Sequence, residues 1–154
     1  RLRAIASPFR TAEATGQDII DPRDTRALLC EFVEDAQRVL ATQLGPPRIQ
    51  SWLRAPAPGP RSARMNQCVY AFLSDSTLMF NTLRPYGRAG QTHRATSLDH
   101  HVWFHRPFDA AHWLFLDQES IAAADSRGLN HARAFDASGE LVASVAQESM
   151  LRAL

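Results

Sequence analysis

With 154 residues, 45% hydrophobic and 21% charged, the chain can build one domain with a sizeable core and has too much apolar content for global disorder. A net charge of +1 offers no basic face for nucleic acid, and no apolar run approaches the roughly 18 to 20 residues needed to span a bilayer. All 17 basic residues are arginine, which excludes Schiff-base and pyridoxal chemistry, since both need a lysine amine. The chain begins at Arg1 rather than Met and lacks an apolar signal core, as expected of a fragment or a processed product.

Residues 1–20 show no sustained period and read as a lead-in. A helix is expected over 21–44: Asp21 is the N-cap, Pro22 the first helical residue and Asp24 favours the positive helix end, while Leu28, Leu29, Phe32, Val33, Ala36, Val39 and Leu40 fall on one face. Gly45-Pro46-Pro47 ends it. Residues 48–54 alternate as a strand, and 55–60, with three prolines and a glycine, form a loop. Residues 65–73 suit a buried strand, and 77–83 a short buried helix after Ser74-Asp75-Ser76. Cys30 and Cys68, in apolar surroundings without CxxC spacing, read as buried thiols of a reducing compartment.

The densest chemistry lies in 96–108, Thr-Ser-Leu-Asp-His-His-Val-Trp-Phe-His-Arg-Pro-Phe. So much aromatic surface beside so many polar groups suits a strand with one face buried and one end in a site. Three further strands are expected at 113–122, 128–135 and 141–151, joined by the turn chemistry of Asp125-Ser126-Arg127 and Asp136-Ala-Ser-Gly139. Leu141, Ala143, Val145 and Gln147 then share one face, so an amide stands where core residues would. The order implies an α+β domain whose antiparallel sheet wraps a helix.

His100, His101, His105 and His112 invite a metal reading. Adjacent strand residues point to opposite faces, however, and no cysteine or carboxylate completes a ligand set, so no metal or other cofactor is expected. On residue chemistry alone Asp75 is equally an N-cap and Ser97 an ordinary strand hydroxyl.

From about Gln50 to Arg152 the chain resembles the second half of the type II acyl-CoA thioesterases, the bacterial TesB and peroxisomal group. The resemblance is carried by Phe72-Leu-Ser-Asp75, by Ser97-Leu-Asp-His-His-Val-Trp-Phe-His-Arg-Pro-Phe108, by Glu119-Ser120 and Ser126-Arg127-Gly128, and by Gly139-Glu-Leu-Val-Ala-Ser144 leading into Ala146-Gln-Glu148. It implies a single hot-dog domain over 46–154, an antiparallel sheet around a buried helix, with 1–45 as an extra N-terminal helix, a linker or the remnant of a longer chain. By position it implies catalytic roles for Asp75, Ser97 and Gln147; Asp99, though inside the motif, is not the catalytic aspartate and is expected to support the strand or the neighbouring loop.

The implied reaction is hydrolysis of fatty acyl-CoA to fatty acid and coenzyme A, with the acyl chain in a tunnel between helix and sheet. Thioester hydrolysis needs a held water, a proton acceptor and oxyanion donors. Asp75, expected where strand gives way to helix, would take the proton beside helix N-terminal amides, while Ser97 and Gln147 orient the water. Arg106 and Arg127 are candidates for coenzyme A phosphates. A lone repeat leaves a sheet edge and a helix face uncovered, so a homodimer, a higher oligomer or a second hot-dog repeat is the expected partner, with no nucleic acid, no membrane span and a cytoplasmic location. The alternative is a non-catalytic, acyl-binding hot-dog subunit that needs a partner repeat.

Overall fold

The computed structural model describes residues 44–55 and 62–154. The helix expected over 21–44, with Cys30, lies outside the described residues but for its last position, as does most of the proline-rich loop. Strands β1 (Arg48–Leu53), β2 (His93–Ser97), β3 (His101–Phe104), β4 (Leu114–Ala124), β5 (Arg127–Phe135) and β6 (Leu141–Ala153) form one antiparallel sheet. Its order is β1-β4-β5-β6-β2, with β3 also on β6. Helix α1 (Ala63–Leu78) packs on β5 and β6, and the short α2 (Phe80–Leu83) continues beyond Met79 onto β4 and β5. The sheet therefore wraps a helix, the hot-dog arrangement expected.

Residues 65–73 are helical rather than extended. The buried side chains Asn66, Val69, Tyr70, Leu73 and Ser74 recur at three- and four-residue steps, which a helix gathers on one face and a strand would scatter over two. Ser62 caps the start, its Oγ accepting from the Met65 N–H at 3.2 Å. The serines that read as a break lie inside the helix: Ser74 Oγ donates to the Ala71 carbonyl and Ser76 Oγ to that of Leu73, at 3.2 and 2.6 Å. Cys68 consequently faces outward with Met65 and Phe72 and is exposed, not buried as expected.

Tight turns set the strand registers. Asp125 and Ser126 both take positive φ, 51° and 62°, in the two-residue loop joining Ala124 to Arg127, the geometry that matches hairpin twist. At the next turn Asp136 Oδ1 accepts from the Ser138 and Glu140 amides.

The helix-facing side of the sheet changes character along its length. One half is apolar, with Leu114, Leu116, Ala132, Ala134, Ala143 and Val145 packed on Val69, Tyr70 and Leu73. The other half is polar: Gln118, Asn130, Gln147 and Ser149 are each at most 1% exposed. Such groups persist inside only when bonded. Thr82 Oγ1 donates to Asn130 Oδ1 at 2.7 Å, Asn130 Nδ2 donates to Ser149 Oγ at 3.2 Å, and Thr77 Oγ1 donates to Gln118 Oε1 at 3.2 Å.

The stretch 96–108 is not one strand. Between Ser97, opposite Ser149, and His101, opposite Ala146, it advances one residue more than β6 does. The surplus is taken up at Leu98-Asp99-His100, a bulge in the sheet edge of the kind that re-aims side chains beside sites. Asp99 repairs the ladder. Leu98 N–H donates to the Glu148 carbonyl at 2.9 Å, and the Glu148 N–H donates to Asp99 Oδ1 at 2.7 Å, where a backbone carbonyl would otherwise sit.

Candidate active site

The bulge, the last turns of α1 and the middle of β6 meet where apolar interior gives way to polar. Gln147, fully buried, donates from Nε2 to Asp75 Oδ1. Its other amide atom, Oε1, is buried without a partner among the described residues. Leaving such an acceptor empty costs about 1 to 3 kcal/mol, so the position is suited to a donor that arrives from outside. Asp75 itself is exposed, which leaves its carboxylate reachable.

Asp75 does not stand at a helix N-terminus, as the sequence led us to expect. It lies near the C-terminal end of α1, because the Ser74-Asp75-Ser76 segment continues the helix instead of starting one. The dipole there does not assist an anion, and the helix N-terminal amides expected to face the oxyanion lie at the far end, beside Ser62.

Ser97 shares the helix-facing side with Ser149, its partner across the strands, one diagonal step from Gln147. Among the described residues it makes no side-chain hydrogen bond to Asp75 or Gln147. Its hydroxyl donates to Met79 Sδ at 3.9 Å, a weak acceptor that leaves the group easily redirected.

His100 is drawn in by the bulge. Ser74 Oγ, whose proton is engaged at Ala71, lies 3.3 Å from His100 Nε2, so that nitrogen carries a proton and donates to Ser74. Burial pushes the imidazole below its ordinary value, the nearby Asp75 carboxylate opposes this, His101 adds to it and Asp99 opposes it. A neutral ring with Nε2–H then keeps a lone pair at Nδ1. His100 is one of the four histidines that invited a metal reading in the sequence. The bulge that separates it from His101 arises from cross-strand register, which local sequence does not display.

Asp99 is tied to β6, accepting from the Glu148 N–H. Arg127 and Arg106, the expected phosphate contacts, are instead paired with carboxylates: Arg127 Nη2 lies 2.7 Å from Glu148 Oε2 and Arg106 Nη2 3.1 Å from Glu140 Oε2. Tyr70, Leu73, Leu114 and Val145, each at most 2% exposed, pack between helix and sheet in the apolar half. Among the described residues no group of three or more His, Cys, Asp or Glu side chains converges as metal ligands do. Nor is any helix there long and apolar enough to cross a membrane.

An antiparallel sheet curled around one helix is the hot-dog architecture, and comparison with known proteins gives it a class. The family model described as acyl-CoA thioesterase matches residues 24–150. Acyl-coenzyme A thioesterase 8 of Homo sapiens is 38% identical over 107 residues, 69% of this chain and 34% of that protein. Acyl-CoA thioesterase 2 of Haemophilus influenzae is 34% identical over 104 residues, 66% of this chain and 36% of that protein. Among solved structures, acyl-CoA thioesterase II TesB2 from Mycobacterium marinum superposes with a TM-score of 0.65 at 36% identity, covering 70% of this chain and 42% of that one. The chain belongs to the acyl-CoA thioesterase family. It spans about a third of the length of the curated relatives it matches.

Proposed function

We propose that the chain hydrolyses acyl-CoA thioesters, with Asp75, Gln147 and Ser97 handling the attacking water. The observation that carries this reading is the buried, unpartnered Gln147 Oε1 beside the reachable Asp75 carboxylate. A water at that point donates one hydrogen to Gln147 Oε1 and the other to Asp75. As it attacks the thioester carbonyl carbon, Asp75 takes its proton; the tetrahedral adduct then collapses to the free fatty acid, and the departing coenzyme A thiolate takes that proton back from Asp75 as the C–S bond breaks. The Ser97 hydroxyl, held only by a thioether, turns towards the water or the developing oxyanion. No acyl-enzyme is required.

Two surfaces exposed among the described residues support the partner expected of a lone repeat. Met65, Cys68 and Phe72 form an exposed stripe on α1, and the bulged edge carries exposed Leu98 and Trp103. A second hot-dog unit, from another copy or a separate repeat, covers such surfaces. Sedimentation giving a dimer or larger assembly supports this pairing; a stable monomer at micromolar concentration counts against it.

The function itself is tested by a free-thiol assay on a panel of acyl-CoAs. Coenzyme A release above background supports hydrolysis. Tight binding without release assigns the chain instead to an acyl-binding subunit, the second reading, which its short span relative to its relatives keeps open.

A further inference from the structure

The side chains assigned to the attacking water stand on separate elements. Asp75 is on α1, Gln147 on β6 and Ser97 at the end of β2, so their joint action needs helix and sheet edge held at one separation. Gln147 and Asp75 are bonded directly. Ser97 is bonded to neither among the described residues, and its contact with the helix side, to Met79 Sδ at 3.9 Å, is weak.

A stronger link lies beside it. His100 closes the bulge that follows Ser97, and the backbone around it is tied to β6: Leu98 N–H donates to the Glu148 carbonyl, and His101 is the register partner of Ala146. The imidazole thus starts from a backbone fixed on the strand that carries Gln147. It reaches α1 at Ser74, the residue before Asp75. There Nε2–H donates to Ser74 Oγ at 3.3 Å, while Oγ donates to the Ala71 carbonyl at 3.2 Å. Ser74 is 2% exposed, so water competes little for this bond. Asp75, His101 and Asp99 are the charged or titratable groups near enough to act on the ring, and its hydrogen-bond partner among the described residues is Ser74.

We propose that His100 is a positioning residue for the reaction: by donating to Ser74 it pins the turn of α1 that carries Asp75 against the bulge that follows Ser97. The proposal rests on the thioesterase reading of the site. The bond from Gln147 to Asp75 is charge-assisted and weakens once Asp75 has taken the proton of the water. The bond from His100 to Ser74 does not involve that carboxylate and holds the turn through the step.

The test is steady-state thiol release from acyl-CoA by the full chain and by His100→Phe, Ser74→Ala, the double variant and His100→Gln, each below its melting temperature. His100→Phe keeps a ring without the donor and Ser74→Ala removes the acceptor. Each lowers kcat by about 10- to 10²-fold, the scale of a misplaced catalytic group, and leaves KM unchanged. The double variant is no slower than either single one, as for two residues acting through one bond. His100→Gln, whose amide donates from the place of Nε2, recovers most of the rate and keeps the rising limb of the pH–rate profile, which belongs to Asp75.

A parental kcat in His100→Phe overturns the proposal. So do losses that multiply in the double variant, because the two residues then act apart. Loss of the rising limb in His100→Gln overturns it too, since the imidazole is then itself the base. The bond is also read without turnover, in the nitrogen resonances of the ring: Nε2–H in the parent, a mixture of tautomers in Ser74→Ala. A parent that shows the Nε2–H tautomer and releases no thiol sinks hydrolysis and retains the pin. Thiol release at equal rates with and without the pin sinks only the pin.

Discussion

The side-chain amide of Gln147 donates to the Asp75 carboxylate across the boundary between sheet and helix, and its oxygen is left buried without a partner. Gln147→Glu keeps the shape and replaces the donor with a second carboxyl. Two carboxyl groups in contact cannot both ionise readily, so the basic form of Asp75 becomes scarcer. The expected outcome is a kcat lowered by about 10²-fold or more and a rising limb of the pH–rate profile displaced to higher pH. An unchanged profile measured from pH 5 to 9 removes Gln147 from the reaction.

Asp99 acts on the site through the backbone. Its carboxylate fills the ladder position at the bulge by accepting the Glu148 N–H at 2.7 Å. Asp99→Ala frees that amide, loosens the turn that carries His100 and lowers stability by about 0.5 to 2 kcal/mol. Asp99→Asn keeps an oxygen acceptor and restores most of the loss. Hydrogen exchange at the Glu148 amide reads this directly: fast in the alanine variant, near parental in the asparagine variant.

The polar half of the interior is sensitive to both size and bonding. A Cβ added at Gly128 would collide with Thr82 Cγ2 and Oγ1. Gly128→Ala therefore displaces the residue that bonds Asn130, and costs about 1 to 3 kcal/mol in urea unfolding. Asn130→Ala leaves Thr82 and Ser149 without their amide and costs a similar amount, about 1 to 3 kcal/mol. Either variant unfolding at the parental midpoint contradicts the bonded network.

His100 sets an acid limit on stability. Burial is the main cause that lowers its pKa; Asp75 and Asp99 oppose it and His101 adds to it. The unfolded chain thus takes up a proton at higher pH than the folded one. The stability due to the neutral ring is complete above the ordinary histidine value near 6.5 and is lost as pH falls from there through the lower folded value. In His100→Gln this part of the pH dependence of Tm between 7 and 5 flattens. An unaltered slope shows that the ring titrates as freely folded as unfolded.

The strands of this domain were legible because their cues are local. Alternation placed β1, β4, β5 and β6 within a few residues, and Asp125-Ser126 with Asp136 to Gly139 marked the hairpins. The helix that carries Asp75 was not legible. Apolar Cys68 and Phe72 imitate a strand, yet on a helix they face outward, and the Ser74-Asp75-Ser76 punctuation is absorbed by bonds from the serines to carbonyls three residues back. Gln147 announced itself as an amide on a core face. His100 and the repair by Asp99 depend on the offset of β2 and β3 along β6, a long-range register that no local pattern encodes.

Hydrolysis by Asp75-activated water is tested most directly by free-thiol release from acyl-CoA with the parent chain and Asp75→Asn, at equal helical content by circular dichroism. The account predicts steady release by the parent and a loss of about 10²- to 10⁴-fold in the variant, the range for removing a general base. Release by Asp75→Asn at the parental rate contradicts it.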